Sequence, residues 1–413
     1  MDKDQLLVFF PALSGFDSHM FGWMGGAGFR YRARNSKVIG PRIFLLSRYL
    51  SLNHFFRSAS DDLSVVHASH FHELRNELNN VVVEQDFSSW NVFLVASLLP
   101  ELEKEQQKRA DGGPLSTSKS AKQQGSVLAH ELEADFKSSD HIFKVLSLKE
   151  SEFKLCNGHG EIVESTPASF MAFFDSVQGF VFPNVGPLDP AEVSRRSLEH
   201  GFSEEAFRGE SGIEANINKW LKGLKRPSQR NSWRELLRSR KHYIRIAVQI
   251  YLQLTLVSRG AYRMQTVEHL QKSSELLALD LDGAIDLFSR STEQWKLLGE
   301  ILLSSSSPAH SAIWDLLDAS PDLGFLYHKQ LYQQPLNSIE RKRLSVFESR
   351  LQEIEEQAQK DEGDMDINRL ELKLEVMSDT LQRIVELERD AFTHIQTVLQ
   401  ITKYGRQLQY EQL

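Results

Sequence analysis

Cysteine is almost absent from this chain. Its 413 residues contain one, Cys156, which excludes an internal disulfide framework and suits a reducing compartment. Long apolar runs are missing too, and without about 18 consecutive apolar residues no membrane-spanning helix is expected. The first residues, Met1-Asp2-Lys3-Asp4, lack the basic region of a secretion signal, so a cytoplasmic location is the expectation. Gly22, Gly25, Gly26 and Gly28 cluster near the start. No Gly-Lys-Ser or Gly-Lys-Thr accompanies them, so a phosphate-binding loop is not expected. No serine stands in a Gly-x-Ser-x-Gly elbow. No fixed-period repeat supports a solenoid. No cofactor is implied.

Groups with metal or catalytic potential are incomplete. His67, His70 and His72 with Glu73 fall in a stretch read as a helix over 62–85. His67 and His70 have ligand spacing there, but no second ligand pair follows, so no metal is expected. Asp280, Asp282 and Asp286 start like a calcium loop, yet the glycine is misplaced and no glutamate closes it. Cys156 precedes Asn157-Gly158, which reads as a strand entering a turn. An enzyme, hydrolase or nuclease, with a site assembled from His67, His70, Glu73 and Cys156 is the alternative reading.

What the chain does contain is helical pattern. Hydrophobic content of 41% and charged content of 25% are those of a globular protein, and the length allows two or three domains. The longest pattern is C-terminal. Leu370, Leu374, Met377, Leu381, Ile384, Glu388, Ala391, Ile395, Val398 and Thr402 alternate by four and three, a heptad seam interrupted by Glu388 and Thr402. Leu344, Phe347, Leu351, Ile354 and Ala358 repeat the rhythm before a polar break at Asp361–Asp366, where Gly363 permits a turn. The pair reads as an antiparallel, coiled-coil-like hairpin. Its seam (Leu370, Leu374, Met377, Leu381, Ile384, Ile395, Val398) is expected to meet a partner subunit or a second copy.

Elsewhere, helices are expected over 42–56 and 88–102, and Leu6–Phe10 reads as a strand. Short strands are expected at 142–148, 152–155 and 161–164, joined in part by a turn at Asn157-Gly158. From Gly212 the pattern is helical, with Asn231 or Ser232 as the cap of one long helix through Ser258. The expected fold is mainly α: a multi-helix body, a small β-hairpin insertion and the C-terminal hairpin. The expected divisions are 1–110, mostly helical; 111–127, a linker; 128–210, small α+β; 211–335, helical and basic; and 336–413, the hairpin.

Charge is uneven. Residues 219–245 hold ten bases and one acid, Glu235, while the rest of the chain, with 38 bases and 55 acids, carries −17. On a helix Arg230, Arg234, Arg238, Lys241 and Arg245 form one stripe, and like charges at this spacing repel. The stripe is expected to be a binding surface, for DNA or RNA phosphates or for an acidic protein. The competing reading is a salt-bridged face that meets the chain's own acids. Together these features suggest a non-catalytic scaffold or adaptor subunit of a multiprotein assembly, with nucleic acid as a candidate ligand.

Overall fold

The computed structural model describes residues 30–36, 40–46, 56–57, 59–60, 62–68, 73, 76–78, 90–98, 140–148, 153–156, 162–165, 174–183, 188–210, 212–226, 232–304, 307–331 and 336–410. The protein is mainly helical, with a small antiparallel sheet. The chain gathers into two compact units, one within Phe56–Asp189 and one joining a two-stranded ribbon to Pro190–Leu413. Apart from the ribbon, the larger unit begins at Pro190, and it includes the C-terminal helices.

The ribbon pairs β1 (Arg30–Ser36) with β2 (Gly40–Leu46), Tyr31 opposite Leu45. The smaller unit holds β3 (Ser64–Ala68), β4 (Trp90–Leu98), β5 (Asp140–Leu148), β6 (Phe153–Cys156), β7 (Ile162–Ser165) and β8 (Phe174–Pro183). They form one antiparallel sheet in the order β3-β8-β4-β5-β6-β7. The expected strands β5, β6 and β7 are present; the expected turn between β6 and β7, the strand at Leu6–Phe10, the glycine cluster and the linker at 111–127 lie outside the described residues.

Three helical expectations are overturned here. Arg42–Leu46 lies in β2, Ser64–Ala68 is a strand, and Trp90–Leu98 is a strand. The reason is clearest in β4. Val92, Phe93 and Leu94 are consecutive and all buried, so both faces of the strand are covered and the alternation that marks a half-buried strand is lost. Phe56, Phe93, Phe180 and Phe182 stack within this core, with ring centroids 4.8–5.9 Å apart. A Cβ on Gly179 of β8 would lie 2.4 Å from the Val66 Cγ2 of β3, so only glycine lets these strands close.

The larger unit contains α1 (Pro190–Gly201), α2 (Glu204–Arg208), α3 (Ile213–Lys225), α4 (Trp233–Arg238), α5 (Arg240–Tyr251), a π-helix (Leu252–Val257), α6 (Arg263–Leu277), α7 (Asp282–Glu300), α8 (Pro308–Asp318), α9 (Leu323–Leu331), α10 (Ser338–Glu362) and α11 (Ile367–Tyr410). Local chemistry sets several starts. Ser232 accepts from the Glu235 amide to cap α4. Asn337 and Glu340 cap α10 reciprocally, each backbone N–H donating to the other's side chain at 2.9 Å. The turn into α11 uses Gly363, with φ of 65°.

Helices α10 and α11 are consecutive but do not form the expected hairpin seam. α10 packs on α5, α8 and α9, while α11 packs on α7, α3 and α4. Leu370, Leu374, Met377, Leu381, Ile384 and Ile395 are all buried inside the chain's own core, with Val398 half-buried against it. A seam covered by α7, which supplies Ala284, Phe288, Trp295 and Leu298 to the same core, is closed to an outside partner.

Candidate functional site

The basic stripe is the first candidate. Arg230 lies outside the described residues. Each of the other four members faces an acid from α10, from α11 or from the turn between them. Arg234 meets Glu371 at 3.4 Å, Arg238 meets Asp364 at 3.6 Å, and Lys241 meets Glu356 at 3.7 Å. Arg245 donates to both carboxylate oxygens of Glu355 at 2.8 Å, and neighbouring Arg240 meets Glu362 at 3.1 Å. These acids lie more than a hundred residues away in sequence, so the repulsion along the basic helix is relieved in the folded chain. The geometry favours the salt-bridged reading of the stripe over the binding-surface expectation for Arg234, Arg238, Lys241 and Arg245.

Backbone contacts fix this face. The Met365 amide donates to the Arg238 carbonyl at 2.8 Å, beside a bridge between Ser239 and Asp364. Ser239 is therefore extended, with ψ of 129°, and splits what the pattern reads as one helix into α4 and α5. Gln359 accepts from the Ser239 hydroxyl at 2.9 Å and from the Lys241 amide at 3.1 Å. Burial raises the Glu355 carboxyl above its usual range, against the pull of Arg245.

The second candidate is wholly buried. Glu388 accepts from Arg263 Nε at 2.7 Å and Nη2 at 2.9 Å, and from Ser291 Oγ and Trp295 Nε1, both at 2.8 Å. Three helices, α6, α7 and α11, meet there. The backbone that delivers Arg263 is strained. After the π-helix, Arg259, Gly260, Ala261 and Tyr262 have φ of 46°, 85°, 53° and 58°, a left-handed turn that costs about 1–2 kcal/mol per L-residue. Local bonds hold it. The Ser258 hydroxyl donates to the Leu254 carbonyl at 3.1 Å and accepts from the Ala261 amide at 3.0 Å, and the Gly260 amide donates to the Leu254 carbonyl at 2.7 Å. A Cβ at Gly260 would fall 2.6 Å from Thr292 Cγ2, so the turn also requires glycine by contact. The polar interruption at Glu388 was the sequence signal for this site; nothing local marks Arg263, Ser291 or Trp295 as its partners.

Other titratable groups are committed to structure. Lys373 donates to the Ile301 and Ser304 carbonyls, each at 2.8 Å, closing the C-terminal end of α7. Burial, reinforced by the Arg369 charge, lowers its ammonium to about 8. Burial lowers His269 to about 3, beside Ser273 at 3.3 Å. His310 is lowered to about 4, first by burial and then by Lys373. Both histidines are neutral at pH 7 and poorly matched to proton transfer there.

Of the groups assigned to an enzyme, His67 and Cys156 lie on β3 and β6, strands separated in the sheet by β8, β4 and β5. Glu73 is helical, and His70 and His72 lie outside the described residues. Cys156 pairs across strands with Lys144. Burial raises its thiol above the ordinary value, with Lys144 opposing, the reverse of an activated nucleophile. Among the described residues no three His, Cys, Asp or Glu side chains are placed to hold a metal ion. Among them, too, no helix is long and apolar enough to cross a membrane. Comparison with protein-family models, with curated proteins and with solved structures finds no match to this chain.

Proposed function

We propose that the protein is a non-catalytic scaffold or adaptor subunit that docks a protein partner on the outer face of α9 and α10. The observation that supports this reading is a group of large apolar side chains left in solvent on two adjacent helices. Phe325 of α9 is 57% exposed, and Ile339 and Val346 of α10 are 64% and 47% exposed. Ile339 and Val346 are seven residues apart and share one helix face. Lys329 of α9 bonds Glu340 at 2.8 Å and lies over the Phe325 ring at 4.8 Å, so Phe325 and Ile339 flank one ion pair. Apolar side chains beside a charged rim are the usual composition of a protein-binding surface.

The test is affinity purification of the tagged full chain from its host, beside an F325E/I339E variant. The expected result is a stoichiometric protein partner with the parent chain, lost in the variant while its melting temperature is unchanged. Retention of the same partner by a folded variant places docking elsewhere. A parent chain that purifies alone and is stable removes the scaffold reading.

A further inference from the structure

We infer that a second basic surface, built by α3 and the β1–β2 ribbon, binds the phosphate backbone of duplex nucleic acid. The protein treats its two basic rows differently. The row on α4 and α5 is matched by acids from α10, α11 and their turn. The row on α3 is not. Lys219, Lys222, Lys225 and Arg226 are all exposed, and among the described residues no acid pairs with Lys222, Lys225 or Arg226. Lys219 reaches only a carbonyl, that of Glu210, at 3.3 Å. Lys219, Lys222 and Arg226 are spaced three and four apart, so they share one face.

The ribbon extends this charge. Tyr31 stacks on Trp220 of α3 with centroids 5.3 Å apart, and its hydroxyl accepts from Trp233 Nε1 at 2.9 Å. The Leu45 amide, across the ribbon from Tyr31, donates to Gln253 Oε1 at 2.7 Å. Tyr31 therefore turns one ribbon face toward the helices, and strand periodicity puts positions 30, 32 and 34 on the other. All three are arginine, and Arg42 stands opposite Arg34. Arg226 is close enough to Tyr31 to pull its phenol down, against the burial that pushes it up to about 12. The end of α3 and the ribbon are thus neighbours.

Duplex is favoured over single strands. Trp220 and Trp233 are buried and Tyr31 is stacked on Trp220, so these aromatics are not free to stack on bases. Charge without stacking fits a backbone contact with little sequence preference. The surface shares no residue with the apolar face of α9 and α10, and the inference does not depend on a protein partner.

The test uses the full chain and a labelled DNA duplex of mixed sequence, with affinity measured by anisotropy across about 50–200 mM salt. If about six cations meet phosphates, the log–log slope is about −5. K222Q/K225Q/R226Q is expected to flatten that slope by about 3 and weaken binding at least tenfold at low salt, with an unchanged melting temperature. R234Q/R238Q/K241Q, on the acid-matched row, is expected to keep the parent affinity. Absence of salt-dependent duplex binding overturns the inference. So does a parent-like slope in the α3 variant, loss of binding in the α4–α5 variant, or tighter binding to phosphatidylserine vesicles than to duplex. If the triple α3 variant melts early, the single K222Q and K225Q variants are read instead; each is expected to flatten the slope by about 1, and an unchanged slope in both overturns the inference.

Discussion

Glu388 interrupts an apolar seam because it has a charge to meet. Its carboxylate accepts four hydrogen bonds, two from Arg263 and one each from Ser291 and Trp295. A buried ion pair adds little net stability over well-packed apolar side chains, but removing one partner strands the other charge. Glu388→Gln keeps the shape and removes the carboxylate charge that Arg263 bonds, so a loss of about 3–5 kcal/mol is expected. R263M/E388M removes both charges and should be the more stable of the two variants. Urea unfolding at constant m-value checks this; a double variant less stable than E388Q would show that the pair stabilises the core outright. The same geometry gives the network a role in specificity. Four donors aimed at one carboxylate are satisfied at one register of α11 against α6 and α7, which an apolar seam alone tolerates shifting.

The helices that carry the basic stripe show how exposure ranks ion pairs of the same type. Arg238 and Asp364 are 60% and 55% exposed at the side chain, whereas Glu355, the partner of Arg245, is 0% exposed. Exposed pairs contribute about 0–1 kcal/mol, and uncovering a buried carboxylate costs about 3 kcal/mol or more. Arg245→Ala is therefore expected to destabilise by at least about 3 kcal/mol, and Arg238→Ala by less than about 0.5; urea midpoints separate the two. If they match, burial of Glu355 is not what ranks them. Legibility follows from the range of the interactions. The helix start at Ser232, and strands β5 to β7, are local and were readable from spacing and turn residues. The acids that neutralise Arg234, Arg238, Lys241 and Arg245 are remote in sequence, so periodicity on one helix does not reveal them. β4 was misread because Val92, Phe93 and Leu94 are buried on both faces. The left-handed turn at Arg259–Tyr262 has one glycine among four residues, and propensity alone does not predict it.

At the scale of the molecule, the decisive fact is that α11 is an internal element. The pattern of a long terminal seam suggests a detachable arm, whose removal would leave a soluble body. The structure places that seam in the centre of the larger unit. Met377, Leu381, Ile384 and Ile395 are fully buried, and Phe392 packs on Phe202 and Phe207 at 5.1 and 4.8 Å. Each such side chain contributes about 1.5–3 kcal/mol on burial, so these five alone approach or exceed the whole stability of a typical protein, about 5–15 kcal/mol. Their loss would also expose Trp295, Phe288 and Leu298 of α7 and leave Arg263 without its carboxylate. A chain ending at Glu362 is thus expected to lose the cooperative unfolding of the larger unit, seen as loss of its thermal transition and of a blue-shifted tryptophan emission. A truncated chain that melts cooperatively at the parent temperature would show that α7 and α11 do not share one core.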